Sequence, residues 1–85
     1  MSADTYLREM VARHLSKILD GNEVNLIVEE ADERFLENLA STLRRRYGRG
    51  SEKILRRLEA SLLAEDPSAA RRLRRAWRGG RTAST

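Results

Sequence analysis

The chain has 85 residues, of which 17 are Lys or Arg, 13 are Asp or Glu and none is Cys, and its formal net charge is +4 at pH 7. This length allows one small domain, and the absence of Cys excludes disulfide bonds and thiolate-bound zinc. No apolar run is long enough to cross a membrane, and residues 1–10 lack the apolar core of a secretory signal, so we expect a cytoplasmic protein.

The charges are distributed unequally along the chain. Residues 1–43 contain four bases and nine acids, a net charge of −5, whereas residues 44–85 contain thirteen bases and four acids, a net charge of +9. All of the bases except Lys17 and Lys53 are Arg, which binds phosphate bidentately and stacks on nucleobases. The second half of the chain therefore predicts a nucleic-acid-binding surface.

Residues 3–19 predict an amphipathic helix that ends before Gly21. Its apolar residues recur at intervals of three and four, which is helical spacing: Leu7, Met10, Val11, Leu15, Ile18 and Leu19. His14 lies beside this stripe. A metal or catalytic site would need further His or Cys residues, and the chain has one His, so we interpret His14 as a partly buried surface residue.

Residues 23–29 fit two different structures. Val24, Leu26 and Val28 alternate with other residues, which predicts a short β-strand. Helical spacing also continues from Val24 through Ala31 and Phe35, which predicts instead an all-α helical bundle with one long helix over residues 22–47. Neighbouring carboxylates are interpreted as a solvated face, or as partners of a second subunit's basic half: Glu29, Glu30, Asp32, Glu33 and Glu37.

Three helical patterns follow, so the sequence predicts a mainly α fold of three to four short helices, with residues 1–78 as a single domain. Phe35, Leu36, Leu39, Leu43 and Tyr47 form the apolar face of the first pattern, and Ile54, Leu55, Leu58, Leu62 and Leu63 that of the second, over residues 51–64. Asp66 and Pro67 predict the cap and the first position of a last helix over residues 67–78, with Ala70, Leu73, Ala76 and Trp77 on one stripe. Gly79 and Gly80 predict its end, and residues 79–85 are expected to form a flexible tail.

The sharpest turn is predicted at residues 47–50. Gly48 and Gly50 can adopt positive φ there, and Ser51 is expected to cap the following helix by accepting a hydrogen bond from a backbone amide of the first turn.

The order strand, helix, turn, helix over residues 24–65 resembles the ribbon-helix-helix family of DNA-binding proteins, which includes antitoxins. The matching segments are VNLIVEE for the ribbon, ERFLENLASTL for the first helix, and RYGRGSEKILRRLEASLL for the turn and second helix. The resemblance implies a homodimer whose paired ribbons lie in the major groove. It places Asn25, Ile27 and Glu29 towards the bases, and the amides of Ser51 and Glu52 on phosphate.

A homodimer is also expected from size alone. A chain this short buries a thin core, and oligomerisation is the usual way to enlarge it when disulfides are absent. We expect that the apolar faces of residues 7–19 and 35–63 cannot all be buried within one protomer.

The leading hypothesis is a small, basic, dimeric nucleic-acid-binding protein, with DNA preferred to RNA, acting as a transcriptional regulator or antitoxin. No enzymatic activity, cofactor or metal is expected. The predicted contact residues are Arg44, Arg45, Arg46, Arg49, Ser51, Lys53, Arg56, Arg57, Arg71, Arg72, Arg74, Arg75 and Arg78. The alternatives are an arginine-rich RNA-binding or nucleoprotein component, a protein-interaction module that docks through residues 3–19, and a membrane-surface protein that binds through Leu73 and Trp77.

Overall fold

A computed structural model describes residues 3–31 and 34–83, which form five α-helices. In chain order these are α1 (Ala3–Leu15), α2 (Gly21–Ala31), α3 (Phe35–Tyr47), α4 (Gly50–Glu65) and α5 (Pro67–Ala83). The described residues include no strand, and none of their helices is long and apolar enough to cross a membrane. The mainly α class is confirmed, whereas the predicted strand and the count of three to four helices were wrong.

Residues 23–29, the predicted strand, belong to α2. Val24, Ile27 and Ala31 recur at helical spacing and are buried, whereas Leu26 remains 50% exposed. A strand would have turned Val24, Leu26 and Val28 to one face and left Ile27 on the other. Burial on a helical face therefore overrides the strand preference of the β-branched residues.

The long helix predicted as the alternative is also absent, because α2 and α3 are separate helices. Arg34, at the N-terminal boundary of α3, has φ +50° and ψ +54°, a left-handed conformation that a continuous right-handed helix cannot contain. The Asn38 side chain donates a 2.9 Å hydrogen bond to the carbonyl of Ala31 at the end of α2. Asp32 and Glu33, two of the predicted solvated acids, lie outside the described residues.

The core is shared by all five helices, with α3 in contact with α2, α4 and α5, and α1 in contact with α2 and α4. Its largest fully buried apolar side chains are Met10, Val11, Leu15, Ile27, Leu39, Leu43, Leu55, Leu58, Leu62 and Leu73. The apolar faces of residues 7–19 and 35–63 are thus largely buried within one chain, so core burial gives little support to the homodimer, which stays a prediction. Leu63, predicted to point inward, is 53% exposed.

The turn between α3 and α4 is built differently from the prediction. Gly48 has φ +56°, as expected, but Gly50 is the first residue of α4 and does not have positive φ. Ser51 is not the N-cap. Its hydroxyl is buried and donates a 2.7 Å hydrogen bond back to the carbonyl of Gly48.

Asp66 links α4 to α5, since it ends α4 and caps the N-terminus of α5. Its backbone N–H donates to the Leu62 carbonyl at 2.7 Å, and its side chain accepts hydrogen bonds from the amides of Ser68 and Ala69 at 3.1 and 3.2 Å. This confirms the cap predicted at Asp66. The predicted end at Gly79 was wrong, because α5 continues to Ala83, and the last two residues of the predicted tail lie outside the described part.

Candidate nucleic-acid interface

The basic segments of α3, α4 and α5 meet at one end of the bundle. The Arg44 guanidinium at the end of α3 donates a 2.8 Å hydrogen bond to the backbone carbonyl of Trp77 in α5. The turn at Gly48 and Arg49 places the start of α4 beside the end of α3. Because α4 and α5 are linked only by Asp66, the second half of α5 returns towards the first half of α4. The end of α3, the first half of α4 and the second half of α5 therefore lie in one region.

α5 separates apolar and basic residues between its two faces. Leu73 and Trp77 are buried against the bundle together with Ala69 and Ala70. The opposite face carries exposed arginines, which are Arg71, Arg72, Arg74, Arg75 and Arg78. This arrangement follows from the helical spacing of the sequence, and it presents a row of guanidinium groups to solvent.

α4 adds cations beside this row. Leu55, Leu58 and Leu62 face the core, which leaves Lys53, Arg56 and Arg57 exposed, and Arg49 is exposed in the preceding turn. A groove of about 370 Å³ runs between α4 and α5. It is lined by Glu52, Arg56, Glu59, Arg74, Trp77 and Arg78.

Two acids lie within this groove and moderate its charge. One of them, Glu59, forms a 3.2 Å ion pair with Arg74, whose side chain is about half exposed. This pair joins α4 to α5. It also holds the Arg74 guanidinium at the groove, away from the outermost part of α5.

Arg44 has a structural role in the bundle. It is partly buried, and its hydrogen bond to the Trp77 carbonyl joins two helices that also pack through apolar side chains. Ser51 is likewise enclosed, with 1% of its surface exposed and its hydroxyl bound to Gly48. The Ser51 hydroxyl and the Arg44 guanidinium are therefore both committed to contacts within the protein.

Arg45 and Arg46 face acids of α2. Arg45 pairs with Glu30, and Arg46 pairs with Glu23 at 3.2 Å and with Glu30 at 3.6 Å. The Tyr47 hydroxyl also donates to Glu23 at 2.8 Å. The α2 carboxylates predicted to pair with another subunit thus include Glu30, which pairs within its own chain.

The α2–α3 contacts shift three pKa values. Hydrogen bonds from Tyr47 and then from Arg46 lower the pKa of Glu23 below its usual range. The same carboxylate raises the pKa of Arg46. Burial is the larger cause that raises the pKa of Tyr47, and the hydrogen bond to Glu23 is the second. Arg45 and Arg46 are therefore partly neutralised by the fold itself.

A second polar cluster, which the sequence does not reveal, joins α1 to α4. His14 is 5% exposed, and its Nδ1 lies 2.6 Å from the Ser61 hydroxyl while its Nε2 lies 2.7 Å from a carboxylate oxygen of Glu65. Arg13 donates two hydrogen bonds to the same carboxylate, at 3.0 and 3.3 Å. These contacts, from Arg13 first and His14 second, lower the pKa of Glu65 to about 2. His14 is thus more buried than predicted, and its polar atoms connect two helices.

Among the described residues, no group of three or more His, Cys, Asp or Glu side chains is placed to hold a metal ion. The predicted contact residues that remain exposed and carry no ion pair to a described acid form the basic surface: Arg49, Lys53, Arg56, Arg57, Arg71, Arg72 and Arg75. These residues come from the α3–α4 turn, α4 and α5.

Comparison of the chain with family models, with curated proteins and with solved structures finds no significant match.

Proposed function

We propose that the protein binds nucleic acid through the basic surface of α4, α5 and the turn before α4. The observation that carries this proposal is the sorting of cations by the fold. The arginines nearest to α2 are paired with its acids, whereas the residues of the basic surface lie exposed on α4, α5 and the turn before α4 without an ion pair to a described acid. Such a surface is suited to phosphate groups, which Arg binds bidentately.

Burial of apolar side chains limits two of the other binding hypotheses. A membrane-surface role requires the apolar stripe of α5, but Leu73 and Trp77 are buried in the bundle. Docking of a protein on residues 3–19 is restricted to the exposed side of α1, because Met10 and Val11 are fully buried. Neither hypothesis uses the arginine-rich face that is exposed.

Two structural features implied by the ribbon-helix-helix resemblance, the paired ribbon and the homodimer, are not part of this proposal. Residues 24–28 are helical and Ile27 lies in the core, so they do not supply a paired ribbon or the expected base contacts. A homodimer is also unnecessary for core burial, since one chain encloses its own apolar faces. If the chain binds DNA, we propose that it acts as a transcriptional regulator, as a repressor or an antitoxin.

The proposal is tested by measuring the affinity of the full chain for a 20-base-pair DNA duplex by fluorescence anisotropy between 50 and 200 mM salt. Each cation that contacts a phosphate contributes about 0.9 to the slope of log affinity against log salt. Single substitutions Arg57→Gln and Arg72→Gln are expected to lower that slope by up to about one each.

Lys17→Gln is the matched control, because it removes one charge from an exposed residue outside the basic surface. It should leave the slope unchanged. If the parent protein fails to bind DNA or RNA at 50 mM salt, the proposed function is wrong. Equal slopes for the parent, Arg57→Gln and Arg72→Gln would show that the basic surface is not the contact region.

A further inference from the structure

We infer that α5 is a DNA-reading helix that lies in the major groove of duplex DNA, with Arg75 pointing deepest into the groove. This inference rests on the proposed function and adds the duplex type, the groove and the residue that reaches the bases. It is based on how α5 is held by the bundle, on the positions of its arginines, and on the cations that flank it.

The bundle fixes which side of α5 faces outward. Leu73 and Trp77 are buried, and successive residues turn by about 100° around a helix, so Arg75 lies about 200° from each of them. Arg75 is therefore nearly opposite the buried side. Arg71 precedes it by four residues and Arg78 follows it by three, which places both on neighbouring turns of the same outer face.

The dimensions of this face match a B-form groove. A helix with its side chains is about 10–12 Å across, and the major groove of B-DNA is about 12 Å wide. From Arg71 to Arg78 the helix rises about 10 Å, which corresponds to about three base-pair steps. The major groove of A-form RNA is too narrow for such a helix, so duplex DNA is the partner that this shape favours.

Chemistry assigns separate roles to the two helices of the basic surface. A guanidinium group can form a bidentate pair with O6 and N7 of guanine, which lie in the major groove. Arg75, at the crest of α5, is positioned for such a contact. Arg56 lies on the adjacent α4 and lines the α4–α5 groove together with Arg78, and Lys53 and Arg57 are exposed on the same helix, so α4 is assigned the contacts with the phosphates bordering the groove.

The ion pair between α4 and α5 supports this division. Glu59 holds Arg74 at the α4–α5 groove, on the side of the helix between the buried stripe and the crest. Arg75 has no ion pair with a described acid. It is therefore available to a ligand without breaking a contact of the folded protein.

The first experiment compares two DNA duplexes of identical sequence, one plain and one in which every cytosine carries a glucosylated hydroxymethyl group at C5. That position lies in the major groove, so the sugar obstructs the groove while the phosphate charge is unchanged. Affinity for the obstructed duplex is expected to fall at least about tenfold, because the base contacts are lost. A duplex RNA of the same sequence should bind more weakly than the plain DNA.

Equal affinity for the two DNA duplexes, with salt-dependent binding retained, would overturn the inference and leave the proposed function intact. Preference for the RNA duplex would also overturn the inference and leave the proposed function intact. Absence of binding to every nucleic acid tested would instead refute the proposed function, and the inference with it.

The second experiment uses Arg75→Lys, with Arg57→Lys as the matched control. Lysine keeps the charge but does not reproduce the planar bidentate contact to guanine. Arg75→Lys is therefore expected to weaken binding to a guanine-containing site by about tenfold with an unchanged salt slope, whereas Arg57→Lys should bind like the parent. Circular dichroism verifies that both variants fold. Parental affinity of Arg75→Lys would show that Arg75 does not read a base.

Discussion

Replacement of Gly48 by Ala should destabilise the protein through backbone strain alone. Gly48 has φ +56° and ψ −125°, a combination that residues with a Cβ atom rarely adopt and that lies outside the left-handed helical region. A Cβ atom built at this position meets no heavy atom within 4 Å, so steric contact with neighbouring residues adds nothing. Residues held in sparsely populated backbone regions cost about 1–3 kcal/mol, and we expect Gly48→Ala to cost about 2 kcal/mol.

The matched control for this substitution is Gly50→Ala, two residues later in the same turn. Gly50 is in α4 without positive φ, and its Cβ would lie 3.9 Å from the Tyr47 Cβ, an ordinary contact. Ala is the better helix former, so Gly50→Ala should stabilise the protein by about 0.4–1 kcal/mol. The two substitutions add the same methyl group and are expected to change stability in opposite directions.

Thermal unfolding followed by circular dichroism measures both effects. For a domain of this size, 1 kcal/mol shifts Tm by about 4–8 °C, so Gly48→Ala should lower Tm by about 10 °C and Gly50→Ala should raise it by a few degrees. D-Alanine at position 48, introduced by chemical ligation, should restore stability because its preferred backbone angles mirror those of L-alanine. A parental Tm for Gly48→Ala, or an equal loss for Gly50→Ala, would refute the strain argument.

Three further predictions concern side chains with contacts inside the bundle. The pKa of Glu65 is lowered from its usual 4.5 to about 2, so the stability that its charged form contributes should be complete above about pH 4.5 and be lost as the pH falls towards 2. Glu65→Gln should remove this part of the pH dependence of stability, as measured by urea unfolding. Arg44→Ala should lower the urea midpoint, because it breaks the hydrogen bond to the Trp77 carbonyl, at a cost of about 1–3 kcal/mol, whereas exposed Arg57→Ala should change it little. Ser51→Ala should lower the free energy of unfolding by about 1 kcal/mol, because the hydrogen bond to Gly48 is lost. DNA affinity measured by anisotropy should stay unchanged, and a large loss of affinity would show that Ser51 reaches the ligand.

The sequence predicts those parts of the fold whose patterns are local. Leu55, Leu58 and Leu62 recur at helical spacing and are buried on α4, and Asp66 caps α5 as its residue type and its position before Pro67 suggest. Residues 23–29 were ambiguous because their order satisfies both a strand and a helix. The outcome depends on the core that receives Val24 and Ile27, which is assembled from distant segments.

The candidate site could be predicted in composition but not in detail. The exposed arginines of α5 follow from its periodicity, so that part of the surface was accessible to sequence reasoning. The internal roles of Arg44 and Arg46 were not, because their partners Trp77 and Glu23 lie 33 and 23 residues away. His14 was misjudged for the same reason, since its contacts in α4 are 47 and 51 residues distant. Charge alone cannot distinguish an arginine that binds a ligand from one that joins two helices.

The double role of Asp66 has a consequence for the order in which the chain folds. Because one residue ends α4 and begins α5, these helices can pair after closure of a minimal loop, at little entropic cost. The contacts of α1 with α4 instead join residues 47 to 52 positions apart, such as His14 with Ser61 and Arg13 with Glu65. We expect the α4–α5 hairpin to be present in the folding transition state and α1 to dock after it. Removal of the His14 contacts should then accelerate unfolding with little change in the folding rate, whereas disruption of the Asp66 cap should slow folding.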